Sequence, residues 1–361
     1  MNIINPIAIT AEMIGAGTTV PEPSGTAADW SGSSVAYTVG QVAKRSTTRK
    51  NYVCKVAHTS AATPTPEDDP TRWTVLGDVE QAWAAAVTYA VGDIVARPTT
   101  HRKYKCAQGH TSAASPLPED DPTRWKDWGP TDRWAPFDIY SSTAALGANS
   151  MTYVLSPGFF NAVALYGLTG AQYSITVKDA PGGTVIFEQS DFLLEPSLGW
   201  YEYLYAPARP LNRVVATDIP LRPTAELTIT VTAALGQPVG IGMIVVGDFV
   251  PLMSALDWGG TLQGAIAEPV SYSYIDVAED GTTTIKRRHK ATNLRCRVAM
   301  PRANADYAVS LVQQVLDVPV AWVATRQRGY TGLTTFGIGS GSMAYDAFNQ
   351  ATLDIVVKGL I

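Results

Sequence analysis

Charge is scarce in this chain. Of 361 residues only 16% are Asp, Glu, Lys or Arg, against about 25% in an ordinary soluble protein, while 46% are hydrophobic. That much apolar material can fill a large core, which excludes wholesale disorder. The small charge that exists is mildly acidic, 27 Lys and Arg against 32 Asp and Glu for a net −5. No electrostatic footprint for a phosphate backbone follows, so nucleic acid is not an expected partner. Three cysteines cannot build a disulfide framework, and no two of them lie close enough in sequence to suggest a metal site. There are four histidines, none in a Gly-x-Ser-x-Gly or His-Glu-x-x-His context, so nothing points to hydrolytic catalysis. Long apolar runs are missing too. The best, Val239 to Met253, is interrupted by Asp248 and is too short to span a bilayer, so membrane insertion is not expected. Met1 to Val20 has no basic stretch and carries Glu12, so a secretory signal is not expected either.

What the chain does have is a duplication. Val35 to Trp73 matches Val87 to Trp125 at a constant offset of 52, with 23 of 39 positions identical. Pro66 to Trp73, PEDDPTRW, recurs whole as Pro118 to Trp125. Each copy reads as a small β module. A Tyr-x-x-Gly turn leads into a strand at Gln41 to Ala43 or Asp93 to Ala96. A Thr-rich tip follows, then a second strand through Tyr52-Val53-Cys54 or Tyr104-Lys105-Cys106. Asp69-Pro70 and Asp121-Pro122 read as an N-cap and N1 proline opening one turn that seats the closing Trp. Calcium is the rival reading of the Glu-Asp-Asp triplets at Glu67 and Glu119.

After Trp128-Gly129-Pro130 the texture changes. Short β-type runs such as Ala162 to Tyr166, Tyr173 to Val177, Thr184 to Glu188 and Glu226 to Thr232 recur between turns, the pattern of an antiparallel sandwich. The last hundred or so residues predict a hairpin, Ser271 to Val277 and Thr282 to Arg288, around Glu279-Asp280-Gly281, and a strand at Leu294 to Met300. Ala308, Leu311, Val312, Val315 and Leu316 then give an amphipathic helix with Asn304 as N-cap. Strands follow at Val320 to Ala324 and Thr352 to Val357. Gly337, Gly339 and Gly341 fail the dinucleotide spacing and read as a flexible loop. Lys286 to Lys290 reads as a solvated or subunit-facing edge, and Cys54 and Cys106 as buried free thiols. The expected fold is mainly β, made of two small tandem β modules, a β-sandwich domain and a C-terminal α+β domain. Its expected divisions are 1–25, 26–78, 79–129, 130–254 and 255–361.

Six of the nine tryptophans lie between Trp30 and Trp134. Flat aromatic faces stack on pyranose rings, and they also fill the cores of modules this small, so both uses stay open. The ring-stacking candidates for carbohydrate are Tyr37, Tyr52, Tyr89 and Tyr104. His58 and His110 are their polar neighbours or, alternatively, histidines that hydrogen-bond a turn.

The repeats resemble chitin-binding (type 3) carbohydrate-binding modules. Copy two carries the pattern in Trp83, Tyr89, Gly92-Asp93, Val95, Tyr104, Cys106, Pro118 and Trp125, and copy one in Tyr37, Gly40, Tyr52, Cys54, Pro66 and Trp73. In those modules an aromatic pair after the second Tyr forms the sugar platform; here Val56-Ala57 and Gln108-Gly109 stand in its place. The whole chain resembles tail-tip or baseplate structural proteins of tailed bacteriophages, through the order of its parts. These are Val20-Pro21-Glu22, the modules, Gly129 to Asp138, Ala164 to Leu168, Tyr173 to Val177, and Lys358 to Ile361. The resemblance implies a non-enzymatic virion protein assembled in the host cytoplasm, an oligomer around the tail axis contacting hub and distal tail proteins, with modules that touch host surface glycan. It implies no cofactor, no metal and no catalytic residue. The alternative is a glycan-degrading hydrolase with appended binding modules.

Overall fold

The computed structural model describes the whole chain except residues 141, 196–198, 208, 254–257, 278–280, 328, 346 and 361, and the side chains of Glu202 and Tyr203. The protein is mainly β, as the sequence predicts. The hairpin turn at Glu279-Asp280, the expected division at 254/255 and the terminal Ile361 lie outside the described residues.

The body is organised by one ten-stranded antiparallel sheet. Its order is Arg213–Ala216, Ala162–Tyr166, Met243–Pro251, Asn2–Pro6, Val320–Val323, Thr334–Ala344, Gln350–Gly359, Lys290–Pro301 and Gly260–Thr261, with Ile266–Ser271 also on Lys290–Pro301. Ala162–Tyr166 is buried at all five positions, because the sheet is covered on both faces there. Val163, Leu165, Ile244 and Val246 face a second sheet, while Ala162, Ala164, Met243 and Val245 pack with Ile4, Ala321, Val323 and Phe336 on the opposite face. The sheet curls. The Arg213 guanidinium at one edge donates to the carbonyl of Thr334, five strands away in sheet order, at 2.7 Å.

The second sheet, Ser150–Leu155, Glu226–Thr232, Gln172–Lys178 and Val185–Phe192, completes the sandwich. Its inner strands alternate buried and half-buried positions, the mark of a sheet with one wet face. On the C-terminal half, helix Ala305–Gln314 lays Ala305, Ala308 and Val312 over Leu294, Val298, Trp322, Leu353 and Ile355. Asn304 makes no side-chain cap; a 3-10 turn, Arg302–Asn304, leads into the helix instead.

Two elements differ from expectation. Asn2–Pro6, within the stretch set apart as an N-terminal segment, is an interior strand joining the sandwich strands to the C-terminal ones. The Gly337 to Gly341 stretch is strand, not loop. Trp322 lies across it, donating Nε1–H to the carbonyl of Gly337 at 3.1 Å, and a Cβ on Gly339 would come within 2.2 Å of the indole. The glycine is there to let the ring lie on the backbone.

The repeats fold alike. Val42–Arg45, Lys50–Cys54 and Trp73–Asp78 form an antiparallel sheet with Ala28–Asp29 parallel at its edge, and Ile94–Arg97, Arg102–Cys106, Trp125–Pro130 and Gln81–Ala82 repeat the arrangement. Both have a bulge at the same place, between Asn51 and Tyr52 and between Lys103 and Tyr104.

Candidate functional site

The module cores come first, since they decide which aromatics remain for a ligand. Tyr37, Ala43, Tyr52, Cys54 and Trp73 make one cluster, and Tyr89, Val95, Tyr104, Cys106 and Trp125 the other. The four tyrosines proposed from the sequence for ring stacking are therefore corrected. They are 3% to 6% exposed inside these clusters, Tyr37 and Tyr89 meeting Trp73 and Trp125 edge to face, which leaves no open ring face for stacking. Their hydroxyls serve the fold as well: Tyr37 accepts the N–H of Ser31 at 2.8 Å and Tyr89 that of Ala84 at 2.9 Å. A module with so few large apolar side chains spends its tyrosines on itself.

His58 and His110 are half-buried. Their Nδ1 atoms sit 2.9 Å from the carbonyls of Val56 and Gln108, and their rings meet Trp73 and Trp125 edge to face. They pin the turns that carry Val56-Ala57 and Gln108-Gly109, which are exposed and not aromatic. Asp69 and Asp121 cap the closing turns: Asp69 Oδ1 accepts from Thr71 Oγ1 and from the N–H groups of Thr71 and Arg72, and Asp121 Oδ1 from Thr123 Oγ1 and Arg124 N–H. Glu67 and Glu119 instead pair with Arg45 and Arg97 at 2.9 and 3.0 Å. Those arginines lie over Trp30 and Trp83. Cys54 and Cys106 are free and buried, and burial pushes both thiols up.

One module aromatic stands out at the surface. Trp128 is 43% exposed, with the Lys105 ammonium 4.2 Å from its ring centre, Lys126 beside it, and an Arg102–Asp127 ion pair next along the strand. Sequence reasoning passed over it, although the repeat holds a signal. At offset 52 its counterpart is Leu76 and that of Lys105 is Val53, both buried. In copy one the corresponding strand, Trp73–Asp78, lies against Ala145–Ala148 of the body. The same strand thus docks in one module and is open in the other. An open indole flanked by ammonium groups offers a flat face for a pyranose ring and donors for its hydroxyls or carboxylates.

The modules are held rigidly. Asn149 donates to the carbonyl of Gly40 and accepts the N–H of Gly236, at 3.1 and 2.7 Å, fixing module one to the body. Gly236 has φ +82°, and a Cβ there would strike the carbonyl of Cys54. Arg49 pairs with Asp93 of module two at 2.6 Å. Module two is bolted by residues of the Gly129 to Asp138 motif. Glu22, nearly buried, takes hydrogen bonds from Thr131 Oγ1 and Trp134 Nε1 and faces His101. His101 stacks on Trp134 at 4.2 Å, and Trp134, Phe137 and Tyr153 continue edge to face into the sandwich core. Glu80, fully buried, accepts the N–H of Asp132 at 2.9 Å and meets Lys103 Nζ at 3.2 Å, while Lys103 also binds Asp132 at 3.0 Å. Burial, then the Asp132 charge, pushes the Glu80 carboxyl up to about 8, against the pull of Lys103. A cleft of about 530 Å3 lies at this joint, where Arg49 and Asp93 bind each other and Lys44 binds the Gly25 carbonyl. It is a joint rather than a free site.

A larger groove, about 680 Å3, lies in the body between Val214 to Thr217 and Val323 to Thr334, with Asp191, Glu195 and Arg209 on its walls. Both acids are exposed. Arg213 and Arg326 there are occupied by the Thr334 carbonyl and by Asp218. Among the described residues there is no cluster of three metal-ligating side chains, and no helix long and apolar enough to cross a membrane.

Residues 82–126 match the family model of carbohydrate-binding module family 5/12. No curated protein matches the chain.

Proposed function

We propose that the chain is a non-enzymatic structural subunit of a bacteriophage tail tip or baseplate, self-associating around the tail axis, whose modules contact host surface glycan. Glycan contact is carried by one observation: Trp128, two residues beyond the matched stretch and on the same strand as Trp125, stands with Lys105 on an open face outside the module core. Rigid docking through Glu22, Glu80 and Asn149 suits a part that must hold a binding surface in fixed register with an assembly. The open module of each copy would bind weakly, and copies around a symmetric tail raise the avidity. The virion reading is supported by the order of parts along the chain.

The test is retention of the full chain on insoluble chitin and on peptidoglycan. Wild type is expected to be retained, and Trp128→Ala to lose retention without a change in melting temperature. Absence of wild-type retention on every glycan tried overturns the sugar role. The hydrolase reading draws on Asp191 and Glu195 at the groove, and release of soluble sugar from the same substrates would favour it.

A further inference from the structure

Strand Ile266–Ser271 and its partner Lys290–Pro301 continue outward as a ribbon, Tyr274–Val277 paired with Thr283–Lys286. Ser273 Oγ accepts the N–H of Arg288 at 2.8 Å and Tyr272 N–H donates to the His289 carbonyl, so the two parts form one arm. At about 3.4 Å per residue its tip stands roughly 20 Å beyond Ser271. All eight strand residues of the ribbon are exposed. One face is self-sufficient: Lys286 bonds Asp276 at 2.6 Å, and Tyr274 lies under Lys286 and Arg288. The other is aliphatic and bare, with Ile275 opposite Ile285 and Val277 beside them, each more than 60% exposed. A two-stranded ribbon is marginal in water, and this one leaves its apolar face to solvent. At its base Arg287 and Lys290 have no ion pair among the described residues.

A surface of opposite character lies on the four-stranded sheet. Its Ser150–Leu155 edge is covered by the chain itself, since Gly15 and Thr19 donate to the carbonyls of Val154 and Thr152. The opposite edge, Val185–Phe192, has no strand beyond it among the described residues. It exposes Val185 and Phe192 together with the acids Glu188 and Asp191, and Glu195 follows. None of these acids has an ion pair among the described residues. An open apolar edge is a ready template for another chain.

We propose that the arm docks on the Val185–Phe192 edge of a second copy of this chain, its aliphatic face on Phe192 and its basic base toward Asp191 and Glu188. Charge favours this occupant. The arm from Tyr272 to Lys290 carries four bases and three acids, so of the chain's net −5 the remainder carries −6, and the acidic remainder of another copy attracts the bases gathered at the arm's base. The contact joins different patches on the two copies, which generates rings or filaments rather than an isolated pair. The inference rests on the self-association part of the proposed function and is independent of glycan binding.

The experiment is sedimentation velocity on the full chain, with circular dichroism melts to confirm folding. All four substitutions lie at exposed positions, so the fold is expected to survive them. Wild type is expected to associate, and less so in high salt. Arg287→Glu with Lys290→Glu, and separately Glu188→Lys with Asp191→Lys, are each expected to sediment as monomers. An equimolar mixture of the two variants, and the chain with all four changes, are expected to regain association, because both restore opposite charges across the contact. Association of wild type that neither pair of changes weakens overturns the arm-to-edge contact while leaving assembly standing. A wild type that stays monomeric at high concentration overturns both.

Discussion

Glu80 and Trp128 show how differently a residue can serve one module. Glu80 is buried between one lysine and a second carboxylate, so its folded carboxyl holds a proton up to about pH 8, while the unfolded chain releases it near its ordinary 4.5. A group raised in the folded state stabilises fully at low pH and loses that contribution as pH climbs through its folded value. Over about pH 4.5 to 8 the melting temperature of wild type should therefore carry a falling component. Glu80→Gln, which stays neutral at every pH, should lack it, and an identical slope in the two proteins would exclude Glu80 as the source. The aromatics divide likewise. Tyr89→Ala empties a closed core and should cost about 3–5 kcal/mol in a denaturant titration. Trp128→Ala, at an exposed position, should change stability by no more than about 0.5 kcal/mol. Equal losses from the two would remove the distinction between core ring and open ring. From the sequence both are aromatics in a β module; only the partner across the sheet decides which is enclosed. The breaks in the repeat at Leu76 against Trp128 and at Val53 against Lys105 are the sequence traces of that difference.

Elements were legible where their pattern was local. Ala162–Tyr166 and Glu226–Thr232 follow from β-branched and aromatic runs, and helix Ala305–Gln314 from its spacing. Thr334–Ala344 was not, because its glycines answer to Trp322, a residue on the neighbouring strand, and a local reading sees only flexibility. The joint between module and body is of the same kind: Asn149 and Gly236 are unremarkable turn residues until Gly40 and Cys54 are placed against them. Asn149→Ala removes both hydrogen bonds and leaves the Gly40 carbonyl and Gly236 N–H without that partner, a loss of about 1–3 kcal/mol. That loss belongs to the joint and not to the module core. Amide exchange should accelerate at Gly236 while Lys50–Cys54 and Trp73–Asp78, which carry the Tyr52 and Trp73 core, keep their protection. Uniform acceleration through the module would mean that docking, not its own core, holds it folded.

At the scale of the molecule, the thin supply of charge has two homes. Some of it is spent inside, on the Lys103–Asp132 pair beside Glu80, and the body surface carries aliphatic and aromatic side chains on the arm and on the Val185–Phe192 edge. Such a surface fits a subunit whose neighbours cover it. The same continuity is built into the body, where Asn2–Pro6 joins strands that the sequence assigned to different domains. Ile3 lies in the core beneath the helix, while Ile4 lies on the other face with Ala162 and Val245. A strand shared in this way makes the two halves one cooperative unit. Ile3→Ala should cost about 2–5 kcal/mol through the cavity it leaves. Because Asn2–Pro6 also pairs with Met243–Pro251, the loss should lower the whole body transition in a calorimetric scan rather than a C-terminal part of it. Were the halves independent, the endotherm would split and only the component containing Trp322 would move, leaving the sandwich at its wild-type temperature.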